Sequence, residues 1–282
     1  MTAKPWRTVL TILGLYLLCS LVKDVEFLFI KTDQTILAEN ILCKLLCLGV
    51  IALSLRHYGW KWRDIGFTSK GMFKGMGFGF ALGAVTFSVS YLAEYLVLRQ
   101  MGEGPRLAFF ITNFTLSAQN VTGVSALAVL ICILGNVVNV WAEEGLFRGL
   151  LFKLGRQKLS CGRANLLQAL LFGLWHIISV AVWVQEGSMT IPMAALMALG
   201  YVLLGGVLAY EWGLCALLTG TVWTGVFEHF FNNFVSNAVH MVSAGGLDTM
   251  QVPRIVLSNV LSLAIVLTAA KITAAKQTKT GC

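Results

Sequence analysis

Residues 123–153 read GVSALAVLICILGNVVNVWAEEGLFRGLLFK. The first half is nearly all apolar, and the stretch as a whole is long enough to cross a hydrocarbon core about 30 Å thick. The second half carries Asn136, Asn139, Glu143, Glu144 and Arg148 without abandoning the apolar pattern. An ionisable residue deep in a span costs about 2.5–3.5 kcal/mol on insertion scales, so it marks function by default. This segment therefore sets both the fold class and the place to look for chemistry.

The same apolar pattern recurs on either side. Spans are predicted at 8–30, 35–56, 72–98, 123–153, 164–184, 190–210, 213–238 and 253–271, with Lys23, Asp24 and Glu26 interrupting the first. Of the 282 residues, 57% are hydrophobic and 12% charged, and a soluble domain carries about twice that charged share. The expected fold is an all-α, polytopic transmembrane helical bundle of about eight spans, a single integral membrane domain over 1–282. The spans lack the ten-residue alternation of an outer-membrane barrel. The loops near 57–71, 99–122 and 239–252 have room for short amphipathic pieces.

The net charge of +8 does not point to nucleic acid, because the basic residues sit beside apolar spans. One side receives Lys4 and Arg7, five between Arg56 and Lys74, four between Lys153 and Arg163, and three between Lys271 and Lys279. The other side receives Lys31, Arg99, Arg106 and Arg254. By the positive-inside rule both termini are cytoplasmic, as expected of a multi-pass protein of the cell membrane in a prokaryote. The start resembles the basic region of a signal peptide without a convincing cleavage site, so it reads as an uncleaved first helix. The seven cysteines show no zinc-ribbon or CxxC spacing, and Cys282, as the last residue, is not a prenylation box.

Polar groups on three spans reach a common depth. Asn136, Asn139 and Glu143 share one helix face, and Glu144 and Arg148 form an i, i+4 pair. Glu143 lies thirteen residues before Arg156, and His176 thirteen after Arg163, which puts both about 20 Å along their helices from one loop. With the seventh span starting near Gly213, His229 falls sixteen residues in, one turn from Asn233. Burial in an apolar cavity suits a glutamate to act as general base near neutral pH. A histidine beside it can hold the same water, and a second histidine with an asparagine can donate to a developing oxyanion. No GxSxG or HExxH is present, so serine and zincin mechanisms have less support.

Glu143-Glu144-Gly-Leu-Phe-Arg148 resembles the EExxxR motif of the CAAX protease and bacteriocin-processing (CPBP, or Abi) family. Phe172-Gly-Leu-Trp-His176 resembles its FxxxH motif, and His229-Phe-Phe-Asn-Asn233 its HxxxN motif. The resemblance covers roughly 120–240 and includes the type II CAAX prenyl endopeptidases. It implies a glutamate-type intramembrane endopeptidase. Glu143 would activate water with His176, and His229 and Asn233 would form the oxyanion site. Glu144 and Arg148 would be an accessory pair. By position, Phe172 reads as a packing residue that shapes the site wall, and Asn139, one turn before Glu143, as orienting it or making a helix–helix hydrogen bond. Glu143, His176 and His229 could instead hold a divalent metal such as zinc, but an amide is a poor zinc ligand, so Asn233 favours a site without a cofactor. The implied partners are membrane lipids and a peptide or protein substrate, either a prenylated tail or a peptide precursor. The alternatives are a non-catalytic bacteriocin-immunity or scaffold protein of the same fold and a proton-coupled transporter. The transporter would spread its polar residues along a path.

Overall fold

The computed structural model describes residues 5–32, 40–112, 121–123 and 125–279. Cys282 and the start of the predicted second span lie outside them. Among the described residues ten α-helices follow one another: α1 (Pro5–Val25), α2 (Ile41–Tyr58), α3 (Met72–Gln100), α4 (Ala126–Glu144), α5 (Phe152–Arg156), α6 (Cys161–Leu174), α7 (Ile177–Gln185), α8 (Ile191–Thr219), α9 (Trp223–Ala238) and α10 (Gln251–Lys279). A π-helical turn, Gly145–Leu151, joins α4 to α5, and another, Glu26–Ile30, extends α1. The α4–α5 and α6–α7 pairs each act as one span.

Seven helical stretches among the described residues are long and apolar enough to cross a membrane. The remaining core helix, α9, has 16 residues, about 24 Å of rise. The chain is thus an integral, multi-pass helical bundle. Large apolar side chains such as Leu17, Phe73 and Leu196 remain exposed on its outside, as expected of lipid-facing helices that need no polar face. Helix starts are set locally. The Ser125 and Ser160 hydroxyls accept from the backbone N–H of Ala128 and Arg163, and left-handed glycines end α2 (Gly59) and α8 (Gly220).

Two expectations are corrected. The break predicted at 211–212 is not there: α8 continues to Thr219, and the chain turns at Gly220–Val222. Gly213 lies inside α8, where a Cβ would stand 1.7 Å from Asn165 Oδ1, so it is a packing position rather than a helix start. Of the loops expected to have room for short amphipathic pieces, those near 99–122 and 239–252 hold short strands among the described residues, and the one near 57–71 holds a single 3-10 turn, Trp62–Ile65. β1 (Arg106–Phe109) pairs antiparallel with β4 (Val239–Val242), and β2 (Ile111–Thr112) with β3 (Val121–Gly123).

Close helix contacts carry the packing. Gly75, Gly79 and Gly83 line the α3 face against α9, and a Cβ at Gly79 would come within 2.3 Å of Thr224 O. The working period is therefore four, and Gly77, two residues on from Gly75, meets nothing. Between α6 and α8, Asn165 Nδ2 donates to Tyr210 O and Gln168 Nε2 to Ala209 O, both at 2.9 Å.

Buried charge is not confined to one level. At one end Arg254 pairs with Glu94 (2.5 Å) and with Asp248 (2.6 Å), and Asp248 also contacts His240 Nδ1 at 3.0 Å. Deeper, the Ser262 hydroxyl bonds to the carboxylates of Glu211 and Glu228. The first cluster accounts for Glu94 as an ion-pair partner. It also holds Arg254, counted among the basic residues of one side, as a buried residue of α10.

Candidate active site

The EExxxR segment straddles the change from α to π winding: Glu143 and Glu144 are the last residues of α4, and Arg148 lies in the π turn. Such π segments recur at functional sites because the widened turn redirects side chains. All three are buried, at 4%, 0% and 2% exposure. Arg148 Nη2 lies 2.8 Å from Glu144 Oε1, close but not aligned for hydrogen bonding. Its guanidinium sits 4.1 Å from the Phe172 ring centroid and 4.6 Å from that of Trp212. Phe172, buried, also meets the rings of His176 (4.8 Å) and His229 (6.0 Å).

His229 is six residues into α9, not sixteen into a longer span. It reaches the glutamates all the same. Its Nδ1 is 2.9 Å from Glu144 Oε1, and its Nε2 is 3.8 Å from Glu143 Oε2. A carboxylate only accepts, so Nδ1 carries a hydrogen and Nε2 is the nitrogen turned to Glu143. The ring stacks on Trp212 at 4.3 Å.

The predicted continuous span 164–184 is broken where it matters. α6 stops at Leu174 and α7 starts at Ile177, so His176 stands at the break. A break at membrane depth needs internal partners for its freed carbonyls. Lys23 supplies one, donating from Nζ to Trp175 O at 2.8 Å. His176 Nδ1 faces Phe172 O at 2.8 Å, and since a carbonyl only accepts, Nε2 keeps its lone pair. His176 is half-buried and parallel to Tyr201. The described contacts of Glu143 include no hydrogen bond to it.

Asn233, half-buried, is one turn beyond His229 on α9. Its neighbour Asn232 is committed elsewhere, donating to Asn259 Oδ1 at 2.8 Å. Asn139 is buried one turn before Glu143 on α4.

Three residues not singled out from the sequence complete the site. Lys44 Nζ on α2 lies 2.8 Å from Glu143 Oε1. Trp175 Nε1 donates to the same oxygen at 2.9 Å. Lys23 lies 4.3 Å over the Trp175 ring. Glu143 therefore does not face an apolar cavity; an ammonium and an indole hold one of its oxygens. One signal was available: a lysine in the middle of an apolar span must find a partner inside the bundle.

No group of three or more His, Cys, Asp or Glu side chains that could hold a metal ion occurs among the described residues. His229 Nδ1 is taken by Glu144 and an ammonium occupies Glu143 Oε1, which leaves His229 Nε2 and Glu143 Oε2 facing each other.

Residues 125–235 match the family model described as type II CAAX prenyl endopeptidase Rce1-like. All three motifs lie inside this segment, and the resemblance to CAAX proteases stands on it. No curated protein and no solved structure matches the chain.

Proposed function

From a motif core that is Rce1-like, in a family of proteases, we propose that this protein is a glutamate-type endopeptidase working inside the membrane, with its site open to the cytoplasmic side. One observation carries the reading. Glu143 Oε2 and His229 Nε2 face each other at 3.8 Å in a buried site, while Glu143 Oε1 is already held.

The chemistry follows from which atoms are left to act. A water gives its proton to Glu143 Oε2 and its oxygen attacks the carbonyl carbon of the scissile amide. His176 Nε2 accepts the second hydrogen of that water and aligns it. The developing oxyanion is met by Asn233 Nδ2 and by His229 Nε2–H. That hydrogen requires His229 in its doubly protonated form, which Glu144 balances from the Nδ1 side. The C–N bond then breaks, and the proton on Glu143 passes to the leaving nitrogen. No metal enters the scheme.

The substrate is a peptide or protein reaching the site from the membrane, as a prenylated tail or a peptide precursor. The test is comparative proteomics of cells carrying wild type or Glu143→Gln, a variant that keeps an amide oxygen for Lys44 and Trp175. An uncleaved precursor is expected to accumulate in the variant. Equal precursor levels in both cells, with both proteins present, would favour the non-catalytic scaffold reading. Cleavage by the purified enzyme is expected to survive o-phenanthroline and EDTA; loss restored by added zinc would overturn the metal-free scheme.

A further inference from the structure

We propose that Lys44 is the positioning residue of Glu143: with Trp175 it occupies Oε1, so that Oε2 alone is turned to the reacting water. The proposal rests on Glu143 acting as the base. It concerns a residue outside the matched segment 125–235.

A free carboxylate in a span has two equivalent oxygens and a rotatable Cγ–Cδ bond. Here both donors converge on one oxygen, Lys44 Nζ at 2.8 Å and Trp175 Nε1 at 2.9 Å. They arrive from different elements, α2 and the α6–α7 break, so rotation of the carboxylate breaks two contacts at once. The side chains of Lys44 and Glu143 are 4% and 5% exposed. Both charges are almost fully buried, so each needs the other as counter-charge.

Both donors are themselves held from α1. Lys23 bonds Trp175 O at 2.8 Å and covers its ring at 4.3 Å. Three residues on, Glu26 accepts from the backbone N–H of Leu42 (2.9 Å) and Cys43 (2.6 Å), the first turn of α2. Lys44 is the next residue. A carboxylate at a helix N-terminus is held by the orphan N–H groups there. One helix thus fixes the two supports that fix the base. The charged residues Lys23 and Glu26, which interrupt the first span as a sequence, form this brace.

The groups facing Glu143 are Lys44 and Lys23 from α2 and α1, His229 from α9, and His176 at the α6–α7 break. Of these, only Lys44 is charged and bonded directly to it.

The test uses full-length Lys44→Met, Lys44→Arg, Glu143→Gln and the Lys44→Met/Glu143→Gln double variant in lipid nanodiscs. Cleavage is followed with a quenched farnesylated peptide and with the precursor that accumulates in Glu143→Gln cells. Lys44→Met is expected to lower kcat by about 100-fold, the scale of an ångström-level misplacement, with KM within about threefold. Lys44→Arg should recover about tenfold of that loss, since it restores charge and donors with a different fork. The double variant should be no slower than Glu143→Gln. Melting temperature should fall in Lys44→Met and return in the double variant, because removing both partners leaves no unpaired charge. Wild-type kcat in Lys44→Met, a loss confined to KM, or additive losses in the double variant would each overturn the assignment. If the wild type cleaves neither substrate, the proteolytic reading fails instead. The melting cycle then still decides whether Lys44 acts on Glu143.

Discussion

His229 Nδ1 lies 2.9 Å from Glu144 Oε1, and the same oxygen is 2.8 Å from Arg148 Nη2. Glu144 therefore joins the ion pair on its own helix to the histidine on α9. Sequence spacing assigns it only the first task. Glu144→Gln is expected to lower kcat by about 10- to 100-fold, as loss of an outer-shell partner of a functional histidine does. Either variant, Glu144→Gln or Glu144→Ala, leaves the buried Arg148 without its counter-charge and should lower the melting temperature, at about 3–5 kcal/mol. Calorimetry beside kinetics checks this, and wild-type stability in both variants would contradict it.

The proposed mechanism gives the adjacent asparagines different tasks. Asn233→Ala is expected to lower kcat by about 100- to 1,000-fold, the range for loss of one oxyanion donor, with little change in melting temperature. Asn232→Ala loses its bond to Asn259 and should show the reverse: about 1 kcal/mol less stability with kcat largely kept. Kinetics and thermal melts of both variants, run side by side, would expose an exchange of roles.

Arg148 is held between two rings as well as by Glu144. Arg148→Lys keeps the charge but loses the planar group that stacks on Phe172 and Trp212. A loss of about 1–2 kcal/mol is expected from the cation–π contacts, read by denaturation in micelles. An unchanged transition would show that the rings contribute nothing.

At the end of the bundle that holds Arg254, burial works against the Asp248 charge. Hydrogen bonds from His240 and Arg254 outweigh it and hold the carboxyl below its ordinary value. A depressed value means the contacts of Asp248 contribute stability above the ordinary aspartate value of about 3.9 and lose it as pH falls further. Asp248→Asn should therefore flatten the acid limb of stability below about pH 4. Proteolysis of the 243–250 loop against pH measures it; an unchanged limb would mean that other carboxylates set it.

Packing at α3–α9 offers a check independent of the site. Gly79→Ala puts a Cβ against Thr224 O, and overpacking costs about 1–3 kcal/mol. Gly77→Ala, facing open space, should be neutral by the same melting assay.

The membrane class, the two-sided distribution of basic residues and the three motif segments are all legible in the sequence. Each follows from local properties: apolar length, charge bias along the chain and residue identity at short spacing. The Glu144–Arg148 pair is legible there too, because i, i+4 geometry is internal to one helix. Tertiary structure alone decided what the motif residues touch. The α6–α7 break beside His176 depends on Lys23, 152 positions away. The contact between Glu143 and Lys44 spans 99. The longer α8 depends on Asn165 filling the space above Gly213. Contacts at such separations leave no periodic trace in a single chain. Lys44 thus reads in sequence as a costly residue in an apolar span, and in the folded bundle as the partner of Glu143.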